Sequence, residues 1–174
     1  MTAKKVLLLG FGNPGRHDDG LGPALAEAIG KLGIEGVTVE SDYQLTVEDS
    51  AALAQHDVVV FADADTGGPE PFSFGPLAPA IATSFSSHSV EPPEVLGLAE
   101  ALFGQRPAAY LLGIRGYDFE QYGEGLTTKA NANLAAALNF IEPLLRSGFH
   151  SSHYSHNSHL REGAFETASL KSVV

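Results

Sequence analysis

Lys4-Lys5-Val6-Leu7-Leu8-Leu9-Gly10-Phe11-Gly12-Asn13-Pro14-Gly15-Arg16-His17-Asp18-Asp19-Gly20-Leu21-Gly22 is the stretch that decides the fold. Residues 4–10 form a near-continuous apolar run, the pattern of a strand buried on both faces. Glycines and Pro14 then break the chain into a turn. Leu21, Leu25, Ile29 and Leu32 follow at three- and four-residue spacing, the period of a helix, with Pro23 tolerable only near its start. Strand, glycine turn and helix in that order open an α/β unit.

The alternation continues outward. Residues 37–41 read as a second strand, and Thr46 with Asp49 has capping-box spacing for a short helix to about residue 55. Residues 57–63 (DVVVFAD) are a third buried strand. Residues 66–90 are rich in Gly, Pro and Ser and read as loops with a short edge strand around 72–74. Residues 92–103 form a helix with Val95, Leu98, Ala99 and Leu102 on one side, and 110–114 a further strand. The last helix, 127–146, buries Ala130, Leu134, Ala137, Leu138, Ile141 and Leu145. The expected fold is therefore three-layer α/β: a mostly parallel central sheet with helices on both faces.

The 174 residues fit one core, here residues 1–146, followed by a His- and Ser-rich tail over 147–174 with no apolar period. No apolar run is long enough to span a bilayer, and no leader-like segment precedes the first strand, so a cytoplasmic location is expected. The absence of cysteine excludes disulfides and thiolate catalysis. Ten Lys and Arg stand against 21 Asp and Glu, a net charge of −11, and the tail is neutral, so the excess acid lies in the folded part. That balance disfavours nucleic acid and anionic membranes as partners.

Because the glycine turn leaves a strand and enters a helix, it lies at the C-terminal edge of the sheet, where such folds place their sites. Gly10, Gly12 and Gly15 match a dinucleotide fingerprint, with Glu40 or Asp42 near the place of a ribose-binding acid. Asp18 and Asp19, however, occupy the helix start where a pyrophosphate would rest, and they would repel it. Either they complement the helix dipole or one of them feeds a metal site. Asp63, at the end of the third strand, either caps a loop or reaches the same cation. His88, in a Ser-rich loop, is a surface residue or an imidazole ligand.

Three pieces taken together resemble the nickel–iron hydrogenase maturation endopeptidases: GFGNPGRHDDGLG after the first strand, DVVVFADAD at the third, and SSHSVEPPEVLGLAEAL. The later YLLGIRGYDFEQYGEGLTTKANANLAAAL is also similar, so the likeness covers about residues 4–145. The resemblance implies a phosphorylase/hydrolase-like α/β fold. It implies an enzyme that removes a short C-terminal peptide from the hydrogenase large-subunit precursor after nickel insertion. Carried over residue by residue, it makes Asp19, Asp63 and His88 the metal-binding and catalytic set. Asp18 supports them or serves the helix dipole, and Asn13 shapes the turn. The nickel is supplied by the substrate, with no tightly bound intrinsic metal and no nucleotide. A substrate-bound metal can polarise the scissile carbonyl and lower the pKa of a bound water.

A rival resemblance is to bacterial peptidyl-tRNA hydrolase, which shares GNPG and would draw on Asn13, His17 and Asp63 or Asp65. There the histidine follows at longer range and the substrate is polyanionic. A non-enzymatic nucleotide-binding module is disfavoured by the two acids. In the tail, His150, His153, His156 and His159 recur every third residue; either they belong to an inert, soluble tail or they supply imidazoles for a weak, exchangeable metal site that would take nickel. On this reading, truncation after Arg146 leaves fold and cleavage intact.

Overall fold

The computed structural model describes residues 3–81 and 90–150. His88 and most of the histidine tail lie outside the described residues. The chain runs β1 (Val6–Phe11), a 3-10 turn (His17–Gly20), α1 (Leu21–Leu32), β2 (Val37–Asp42), α2 (Asp49–Leu53) and β3 (Val58–Asp65). It continues through β4 (Phe72–Leu77), α3 (Pro92–Phe103), β5 (Ala108–Arg115) and α4 (Thr128–Arg146). The sheet order is β2-β1-β3-β5-β4, with β4 antiparallel on one edge and the other four strands parallel.

Alternation along each strand sorts the apolar side chains into two cores. Val6, Leu8, Val58, Val60, Leu112 and Ile114 face one way and pack under α1 and α4. Leu7, Leu9, Val59, Phe61 and Ala109 face the other way, under α2 and α3. The result is three layers: β1 from Val6 to Leu9 and β3 from Val58 to Ala62 are apolar without a break because both of their faces are covered, while the edge strands β2 and β4 carry polar residues and are more exposed. Phe61 is fully buried; replacing such a ring with alanine costs about 3–5 kcal/mol.

Three local differences from the sequence reading have clear causes. The buried stripe of α3 is Pro92, Val95, Leu96 and Ala99, while Leu102 is 64% exposed. The stripe turns about a sixth of the way around the helix from the expected one, at ~100° per residue, bringing Pro92 and Leu96 inward in place of Leu98 and Leu102. Leu32 is 43% exposed, since it is the last residue of α1 and lies beyond the sheet. The edge strand β4 runs three residues past the expected stop, extending its ladder with β5 from Phe72↔Ile114 to Leu77↔Ala109.

Packing also extends past Arg146. Phe149 donates its N–H to the Leu144 carbonyl (3.1 Å) and stacks on Tyr110 with ring centroids 5.1 Å apart. Phe74 joins the same cluster at 6.5 Å. Truncation after Arg146 removes this ring, so the cut read from composition falls too early. Truncation after Arg146 is expected to lower unfolding free energy by about 2 kcal/mol, whereas truncation after His150 leaves it unchanged. Urea unfolding of the two truncations checks this; equal midpoints would mean that Phe149 contributes nothing.

Candidate functional site

Parallel strands end at one edge, and the register brings their ends level. Phe11 pairs with Asp42, Gly10 with both Ser41 and Ala62, and Asp63 with Gly113. The glycine turn sits on this edge, and its glycines are consumed by packing. A Cβ on Gly10 would lie 2.3 Å from the Gly22 carbonyl, and one on Gly22 would lie 2.4 Å from that of Phe11. Strand β1 and the start of α1 are therefore in backbone contact. Gly12 has φ +140°, and a Cβ there would meet the Asp19 carbonyl oxygen at 2.0 Å. The Gly-x-Gly spacing here lets a helix lie on a strand; it does not form a phosphate cradle.

The turn aims Asp19. The Asn13 side chain accepts the Gly15 N–H (2.9 Å), closing an Asx turn. The Asn13 N–H in turn donates to Asp19 Oδ2 at 2.9 Å. Asp63 stands at the end of β3, on the face that carries α2 and α3, and its Oδ1 accepts the Ala64 N–H at 2.8 Å. Each carboxylate is thus held by one backbone N–H through one oxygen. Among the described residues, the second oxygen of each makes no hydrogen bond.

The two carboxylates share an electrostatic environment. Burial raises the Asp63 pKa to about 7, outweighing the Ala64 N–H, and the charges of Asp19, Glu91 and Asp65 push it further the same way. Among the described residues no cation pairs with them: the ion pairs there are Lys31–Glu27, Arg106–Glu100 and Arg146–Glu142, all remote from this edge. A half-buried carboxylate surrounded by acids favours any cation that arrives. Glu91 was not singled out from the sequence. It precedes α3, where the Glu94 side chain bonds back to its N–H (2.9 Å), and only the tertiary fold brings it within range of Asp63.

Asp18 faces the opposite way. It is fully buried, and its carboxylate accepts the Tyr117 N–H (2.8 Å), the Asp118 N–H (3.1 Å), the Thr127 N–H (2.7 Å) and the Thr127 hydroxyl (2.8 Å). Burial alone would raise its pKa, but these four donors hold it below the usual carboxylate range. Asp18 is therefore the anchor of the segment joining β5 to α4, and a helix-dipole role does not describe it. Its neighbours complete the seam: Arg16 Nη2 donates to the Phe119 carbonyl (2.7 Å), and the His17 N–H to that of Gly123 (2.9 Å). The His17 ring meets the Gly125 carbonyl through Nδ1 (3.0 Å), and Asp65 accepts the Gly67 and Gly68 N–H groups. Asn13 and Asp65 are thus held by the backbone of their own turns, and His17 by the distant backbone of Gly123 and Gly125.

No protein-family model matches the chain, and no curated protein does. Solved structures do. A [NiFe] hydrogenase maturation protease HycI from Thermococcus kodakarensis superposes with a TM-score of 0.64 at 21% identity, covering 82% of this chain and 93% of that one. The hydrogenase maturating endopeptidase HybD of E. coli gives 0.58 at 22% identity, covering 82% and 92%. An uncharacterized protein from Wolinella succinogenes gives 0.58 at 27% identity, covering 81% and 96%. The chain has the fold of the hydrogenase maturation proteases. That architecture is the three-layer α/β arrangement described above. No helix among the described residues is long and apolar enough to cross a membrane.

Proposed function

We propose that this chain is a hydrogenase maturation endopeptidase that removes a C-terminal peptide from the nickel-loaded large-subunit precursor. The observation that carries the reading is the convergence of Asp19 and Asp63 at one sheet edge, where, among the described residues, no cation pairs with them and each keeps an oxygen without a hydrogen bond. The sequence likeness of the glycine turn, the third strand and the His88 segment supports it, as does the shared fold.

Two carboxylates and an imidazole suit a divalent transition metal and leave positions for the substrate's own ligands. Among the described residues no three His, Asp or Glu side chains are arranged to hold an ion; His88, the third donor in this proposal, lies outside them. Nickel enters as part of the substrate. Asp19 and Asp63 bind it, which orients the precursor and sets the scissile carbonyl beside a metal able to polarise it. Asp63 gives up its proton as the cation arrives, so engagement near neutral pH releases protons to solvent. The protein acts in the cytoplasm, with the precursor as its partner and no nucleotide, nucleic acid or membrane involved.

Incubation with a nickel-loaded, C-terminally extended precursor, followed by intact mass, tests this. One cut is expected, with casein and the nickel-free precursor untouched. Asp19→Asn, Asp63→Asn and His88→Ala should each reduce the rate at least about 100-fold, the scale on which loss of one directly acting group is felt. Equal cleavage of nickel-free precursor would remove the metal from the mechanism.

A further inference from the structure

A groove of about 180 Å³ opens on the acid-bearing edge between the ends of β1 and β2, lined by Gly12, Pro14, Pro23, Ser41, Asp42 and Tyr43. It adjoins Asp19: Gly12 packs on the Asp19 backbone, and its neighbour Asn13 donates its N–H to the Asp19 side chain at 2.9 Å. Its walls are preformed. Gly12 N–H binds the Asp42 carbonyl (3.1 Å), and the Asp42 side chain accepts the Tyr43 N–H (2.6 Å). Tyr43 is nevertheless 68% exposed, leaving a large aromatic face open on the rim among the described residues.

One main-chain group on the rim is also open. The Gly36 and Asp42 carbonyls accept from Val6 and Gly12, so even-numbered residues of β2 turn their polar groups toward β1. Ser41 therefore turns its N–H and carbonyl outward, and β2 is the terminal strand of the sheet. The apolar slot thus lies on the inner side of the end of β2, and on its outer side Ser41 offers an N–H and a carbonyl that have no partner among the described residues; side-chain slot and free strand edge are together the means by which an extended peptide is recognised.

We propose that this groove is a specificity subsite for the substrate peptide, taking an apolar side chain two or three residues from the scissile bond. The inference rests on the endopeptidase reading above. Its span follows from the sheet: β2 and β3 are two strand spacings apart, about 10 Å, which an extended chain covers in about three residues. The volume equals about six waters at ~30 Å³ each, enough for one side chain of medium size. Asp42 on the rim and Asp19 beyond it are negative, so the flanking residues of the peptide are neutral or basic, and an acid there is repelled.

Steady-state cleavage of the nickel-loaded precursor by wild type, Tyr43→Ala and Ser41→Pro tests the subsite. Ser41→Pro deletes an N–H that points off the sheet, which an edge strand tolerates, so its melting temperature should stay near that of wild type. Both variants are expected to raise KM about tenfold while moving kcat far less. Aspartate in place of the apolar residue near the cut should raise wild-type KM similarly. Unchanged KM in Tyr43→Ala, with wild type active, overturns the subsite and leaves the endopeptidase standing. Wild type that leaves the precursor whole overturns the endopeptidase reading itself. If Ser41→Pro fails to fold, Tyr43→Ala and the substrate variant decide alone.

Discussion

Asp63→Asn is expected to make the protein more stable at pH 8 while abolishing processing. The folded-state pKa of Asp63 is raised to about 7 by burial and by the charges of Asp19, Glu91 and Asp65. The unfolded value is about 3.9. Between these limits the folded chain binds more protons than the unfolded chain, so stability falls as pH rises. The penalty is absent below about pH 4, grows toward pH 7 and is complete above it. Three pKa units correspond to about 4 kcal/mol. Because the carboxylate retains solvent contact, about 2 kcal/mol is the better expectation.

Asparagine has no charge to bury, so the variant escapes that penalty. Its melting temperature should exceed wild type by about 4–8 °C at pH 8 and match it at pH 4. Thermal unfolding at the two pH values checks this, and a variant no more stable at pH 8 would show that Asp63 is not under electrostatic strain. An enzyme whose inactive variant is the more stable one holds its site against its own folding preference.

The scaffold was legible because its signals are local. Residues 4–10 and 57–63 announce buried strands by unbroken apolarity, and α1 and α4 announce themselves by period. Asp19 and Asp63 could be placed at one edge because each follows a parallel strand and parallel strands share a C-terminal edge. Glu91 and the seam from Arg16 to Asp18 were not legible. Asp18 bonds to Thr127, 109 residues away in the chain, and no spacing rule links the two. Adjacent identical acids gave the sequence no means of knowing that one faces solvent and the other the interior. The same holds for Tyr43, whose value as a groove wall depends on where Pro14 and Pro23 lie.

Asp18→Ala is expected to destabilise the fold by about 4 kcal/mol, among the largest effects of any single change outside the apolar core. Removing the carboxylate leaves the half-buried N–H groups of Tyr117, Asp118 and Thr127 and the Thr127 hydroxyl without their acceptor. Each orphaned donor costs about 1–3 kcal/mol, and partial rehydration keeps the sum below the arithmetic total. Asp18→Asn keeps the shape but turns an amide donor toward other donors, so about half the loss is expected. The wild-type advantage has the opposite pH dependence to that of Asp63. A carboxylate whose folded pKa is depressed stabilises above the unfolded value, and that stabilisation drains away as pH falls through the folded value. Because Asp18 directly precedes Asp19, the damage should reach the site: hydrogen exchange of residues 116–127 should accelerate, and processing should fall with it. Urea unfolding and exchange measured on the same samples decide the matter. An Asp18→Ala protein as stable as wild type would mean that the four bonds contribute nothing to the fold, and Asp18 would return to being an ordinary acid at a helix start.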